Sequence, residues 1–125
     1  MNPMVLSVPA RPEWTMVLRM AVSGVCALYD LPLDVMDDLK TAIDESCELL
    51  LHQDYQAETL TLRCTAERDG LHVCLNASMQ TRQSCPDAAD ADIARLIIGT
   101  LVRDVDLERD EHGVRGVHMI LPACV

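Results

Sequence analysis

The chain has 125 residues, half of them hydrophobic, so one domain with a true core is expected, burying roughly two thirds of the unfolded chain's surface. Twenty Asp and Glu against ten Lys and Arg give a net charge of −10, which argues against a nucleic-acid partner because that binding rests on neutralising phosphates. No stretch approaches the roughly 18 unbroken apolar residues that span a bilayer, and the N-terminus lacks the pattern of a signal peptide, so a cytoplasmic protein without a membrane span is expected.

Residues 4–9 read as a short strand ended by Pro9. Pro12 and Glu13 suit the first turn of a helix running to about Tyr29. Its core-facing residues are expected to be Trp14, Val17, Leu18, Ala21, Val25 and Leu28, which recur at helical spacing. The segment Asp30-Leu-Pro32 breaks that helix, and Asp34 is expected to cap a second one, to about Asp54. There Leu39, Ile43, Cys47 and Leu50 form an apolar stripe. Asp38, Glu45 and Leu49 share a neighbouring strip, since residues three, four and seven apart lie on one face.

The period then changes to two. Leu60, Leu62, Cys64 and Ala66 alternate with polar residues, as do Leu71, Val73 and Leu75. Arg68-Asp69-Gly70 between them signals a hairpin with one buried face and one wet face. Cys64 should point inward and Cys74 outward. A polar segment, 80–90, is the expected loop. A third helix over about 91–104 should bury Ile93, Leu96, Ile97, Thr100 and Leu101. A second hairpin, 105–110 and 114–121, should turn near His112-Gly113, with the acidic run from Asp104 to Glu111 on its wet side. Helices on one face of a mostly antiparallel sheet of four to five strands make an α+β, two-layer sandwich. Six cysteines without Cys-x-x-Cys spacing read as core hydrophobes and free thiols, and the four histidines show no metal-ligand spacing.

Specific residues carry a resemblance. Asp38-Leu-Lys-Thr-Ala-Ile-Asp-Glu45-Ser-Cys, with Tyr55 beyond it, resembles the "D-x-K-x-A-x-x-E-A-x" segment of the anti-sigma-factor serine kinases. These are small members of the histidine-kinase-like ATPase superfamily, which has the Bergerat fold. Val8 to Trp14 is similar to that family's first strand and helix start. Leu18-Arg19 matches the helix that carries a partner-contacting arginine, and Gly116 to Leu121 the last strand. The resemblance extends over nearly the whole chain, 1–125, as a single such domain.

It implies a glutamate acting as general base toward a serine of an antagonist protein, an asparagine four residues on for Mg²⁺, an Asp-x-Gly motif for adenine, and a glycine turn for phosphates. Of these only the glutamate is present, as Glu45. Leu49 stands at the asparagine, Ala77 and Met79 at the two defining positions of Asp-x-Gly, and Asp92 to Arg95 at the glycine turn. The lid over the nucleotide, around 80–91, is shortened. Leucine offers no oxygen to a hard cation, and alanine accepts no hydrogen bond from adenine. The expectation is therefore a pseudoenzyme with no cofactor. In this reading Glu45 is a vestigial base, and Arg19 contacts a sigma factor, an antagonist protein or both. The resemblance also allows a homodimer, for which the aliphatic, Met-rich first helix offers surface to bury, but the sequence does not fix which surface is used. One alternative is an active serine/threonine kinase using ATP and Mg²⁺; another is a co-opted interaction or dimerisation module.

Overall fold

Five strands and three helices stack in two layers in the structure, a computed structural model that describes residues 2–83 and 85–122, without the side chains of 79–81. The strands are β1 (Met4–Pro9), β2 (Tyr55–Glu67), β3 (Gly70–Arg82), β4 (Asp104–Asp110) and β5 (Gly113–Leu121). They form one antiparallel sheet in the order β1-β2-β3-β5-β4. The helices α1 (Thr15–Leu28), α2 (Leu33–Leu51) and α3 (Ala91–Gly99) cover one face. This is the expected α+β sandwich, consistent with a histidine-kinase-like ATPase fold.

Period-two alternation decides which face the helices cover. Leu60, Leu62 and Cys64 of β2, Val73, Leu75 and Ala77 of β3, and Val117, Met119 and Leu121 of β5 are all buried. Against them pack Leu18, Val22 and Cys26 of α1, Leu39, Ile43 and Leu50 of α2, and Ile98 of α3. Cys64 points inward and Cys74 lies on the open face, as the alternation requires. Among the described residues no helix is long and apolar enough to cross a membrane.

Several elements depart from the sequence expectation. The first helix opens with a 3₁₀ turn, Pro12–Trp14, and its buried stripe is Leu18, Val22, Val25 and Cys26. Trp14 precedes the regular helix and is 37% exposed, while Leu28 in the last turn is 74% exposed. Asp34 is not the cap of α2. Pro32 occupies that position without a side-chain hydrogen bond, and the Asp34 carboxylate accepts from the next amide, Val35 N–H, at 3.0 Å. The helix ends at Leu51 because His52 leaves helical geometry. The long hairpin consumes part of the expected loop, since β3 continues to Arg82.

The largest departure is in α3, which is nine residues long and buries Ala94 and Ile98 instead of the expected face. Ile93, Leu96 and Ile97 are exposed. Five apolar residues within the six positions 93–98 define no unique helical face, and the side that packs inward is that of Ala94 and Ile98.

Gln53 joins the two layers. Its side chain is buried; Nε2 donates to Val114 O and Oε1 accepts from Val114 N–H, both at 2.8 Å. One amide side chain thus takes the place of a neighbouring strand at the start of β5. Gly113 beside it has φ of +113°, and a Cβ there would sit 2.6 Å from Gln53 Oε1. Glycine is required on both counts.

Candidate functional site

The site that the sequence singles out lies on α2, the middle helix, which packs against both α1 and α3. Asp38 is exposed and Glu45 half-buried; neither has an ion-pair partner among the described residues. Leu49, one turn beyond Glu45, is 1% exposed and belongs to the core. Ala77 is likewise in the core, at 3%. The side chain of Met79 lies outside the described residues.

The N-terminus of α3 is already capped. Asp90 caps it, its carboxylate accepting from Asp92 N–H at 2.9 Å and Ile93 N–H at 3.1 Å. A helix start attracts anions because its first N–H groups are free, and here the chain's own carboxylate takes two of them. Asp92 pairs with Arg109 at 3.3 Å. The connection from β3 to α3 is tied to the end of α2: Gln83 N–H donates to Asp54 O at 2.6 Å and Ala89 N–H to His52 O at 2.8 Å.

Arg19 lies on α1 and pairs with Asp44 of α2 at 3.4 Å, both partly exposed. Such a pair contributes only about 0–1 kcal/mol, so it leaves the guanidinium available to other partners. Beside it on α1, Met16 and Met20 are two-thirds exposed. Tyr55 opens β2 and stacks on His112, with ring centroids 4.2 Å apart.

A histidine pair on the open face of the sheet is not legible from residue spacing. His72 Nδ1 and His118 Nε2 are 3.0 Å apart, and His72 Nε2 lies 2.7 Å from Asp69 Oδ1. That hydrogen bond holds the Asp69 carboxyl below the usual carboxylate range. The alternation places both histidines on one face, but only the register of β3 on β5 makes them neighbours. Among the described residues no group of three His, Cys, Asp or Glu side chains is arranged to hold a metal ion.

The described cysteines are all free. Burial pushes the Cys47 thiol up to about 11 and the Cys64 thiol up to about 12, from an ordinary 9.0. In the unfolded chain both ionise near 9.0, so above that pH unfolding releases protons that the folded state retains. Stability is therefore expected to fall from pH 9.0 toward 11–12, by about 1.4 kcal/mol per pH unit for each thiol. Urea titrations should show this decline in the native chain and a flatter one in Cys47→Ala/Cys64→Ala; identical slopes would refute it.

No known family model matches the chain. It is similar to the serine-protein kinase RsbW of Bacillus subtilis strain 168, with 32% identity over 53 residues. The RsbW proteins of Bacillus licheniformis and Bacillus velezensis match at the same identity over the same length. The aligned stretch covers 42% of this chain and 33% of each relative, so the chain spans about one third of the length of the curated relatives it matches.

Proposed function

We propose that this chain is a regulator of the anti-sigma type that acts by binding a sigma factor or an antagonist protein, without ATP and without kinase activity. The observation that carries this reading is the burial of Leu49 in the core, where the resemblance implies a magnesium ligand. Two further features support it: Ala77 lies in the core at the adenine position, and the Asp90 carboxylate occupies the N–H groups that phosphates would need. The partner surface is α1, where Arg19 stands beside exposed Met16 and Met20. Methionine fits such a surface because its flexible, polarizable side chain adapts to varied partners.

Calorimetric titration with Mg-ATP is expected to show no binding at millimolar concentrations. A sub-millimolar affinity would overturn the reading. The similarity to a serine-protein kinase favours one alternative, an active kinase with an eroded motif set. Transfer of labelled phosphate from ATP to a serine of a partner protein would establish that alternative.

A further inference from the structure

Beyond Asp34 in its first turn, whose carboxylate accepts from Val35 N–H, the acids along α2 fall into two sets. Asp37, Asp44 and Glu48 each have a basic neighbour: Lys40 at 3.4 Å, Arg19 at 3.4 Å and His52 at 3.1 Å. Asp38 and Glu45 have none among the described residues. Seven residues apart, they lie on one line of the helix, separated by about 10 Å at 1.5 Å rise per residue. Their side of α2 is the one away from α1. Arg19 and Thr15 of α1 meet Asp44 and Cys47, and Glu45 is about 100° further round the helix from Asp44.

On that far side stands α3, with Ile93, Leu96 and Ile97 exposed at 56%, 68% and 39%. Their i, i+3, i+4 spacing makes one apolar face. Arg95 is two residues from both Ile93 and Ile97, roughly 160° round the helix from each, and about 100° from Leu96, with which it lines a groove toward β4. Nearby cations on other elements are already engaged: Arg109 by Asp92, Arg103 by Asp104 and Lys40 by Asp37. Two unpaired carboxylates on α2 and an uncovered aliphatic face on α3 thus lie on neighbouring, mutually packed helices.

Resting on the reading that this chain works by gripping other proteins, the geometry points to the α2–α3 face as the docking site for a basic amphipathic helix of a partner. That helix carries two Lys or Arg residues seven positions apart beside a row of Leu, Ile or Met. Its cations meet Asp38 and Glu45 in matching heptad register, and its apolar row covers Ile93, Leu96 and Ile97. Charge selects this occupant over a second copy of the chain, because two copies at −10 each would bring acidic ridges together.

A peptide of about 18 residues, five helical turns, with Arg at i and i+7 beside a leucine row tests this by calorimetry on the full chain. A scrambled peptide of the same composition is expected to bind at least about tenfold more weakly. Asp38→Asn with Glu45→Gln, and separately Ile93→Gln with Leu96→Gln, should each weaken the ordered peptide about tenfold. Asp37→Asn with Glu48→Gln should change it less than about twofold, since those acids already have partners. Five of the six positions are exposed and Glu45 is half-buried, and melting temperature confirms that each variant folds.

Equal affinity for the scrambled peptide, or equal loss in the Asp37/Glu48 variant, would mean unspecific charge attraction and overturn the proposal. A homodimer that dissociates in the Ile93/Leu96 variant would assign the face to a second copy, and also overturn it. Failure of the peptide while Mg-ATP does not bind removes this docking site alone. Binding of Mg-ATP removes the reading beneath it.

Discussion

Leu49→Asn is expected to destabilise the chain by about 4 kcal/mol and to confer no binding of Mg-ATP. Full burial of a leucine contributes roughly 1.5–3 kcal/mol, and an amide left without partners in the same place adds a penalty of about 1–3 kcal/mol. The side chain it would replace is 1% exposed, within the core cluster that includes Leu50 and Ala77. For a domain of this length the loss corresponds to a melting temperature lower by roughly 15 °C. Leu49→Met, which conserves volume, should cost less than about 1.5 kcal/mol. Thermal denaturation followed by circular dichroism, with a fluorescent ATP analogue titrated in parallel, checks both halves. An asparagine variant that keeps its melting temperature and gains nucleotide affinity would show that position 49 faces a site.

Gln53→Ala is expected to destabilise by about 3 kcal/mol, a loss larger than its polar character suggests. The substitution removes both 2.8 Å hydrogen bonds to Val114 and leaves that residue's buried N–H and C=O without their partners, each worth about 1–3 kcal/mol. Gln53→Glu retains the acceptor for Val114 N–H but loses the donor to Val114 O, so an intermediate loss is expected, increasing as the carboxylate ionises. Urea denaturation of the three proteins orders them. If the alanine variant falls within about 0.5 kcal/mol of the native chain, as an ordinary surface change would, the bridge is not a stabilising contact.

Both expectations rest on features that were unevenly legible in the sequence. The alternating runs around Arg68-Asp69-Gly70 and His112-Gly113 place both turns, and the second hairpin to within a residue, because a period of two beside a turn has few other solutions. The outer ends of the first hairpin, from Tyr55 and to Arg82, lie well beyond its alternating runs. The stripe Leu39, Ile43, Cys47 and Leu50 on α2 was equally readable, since it alternates with acids. The same logic failed on α1 and α3, where apolar residues stand on nearly every side. Neither Leu28 nor Leu96 differs in type from a core residue; only tertiary packing turns them outward. Gln53 could not have been found at all. Its role depends on the start of β5 lying beside the end of α2, sixty-one residues later in the chain. Within the candidate site, the positions of Glu45, Leu49 and Ala77 followed from the resemblance, whereas the pairing of the neighbouring acids required the helices to be in place.

The Asp90 cap has a consequence for how such a surface would be controlled. Because the first turn of α3 is completed from within, the helix needs no ligand to set its shape, and Ile93 and Leu96 stand in their final positions beforehand. A partner arriving there meets a preorganised surface and bears little of the entropy loss that accompanies folding on binding. On the proposed reading, in which the chain binds no nucleotide, the ratio of nucleoside triphosphate to diphosphate would not alter that surface. Occupancy would then follow the amounts of the two proteins by mass action, making synthesis and turnover, rather than a bound nucleotide, the control points.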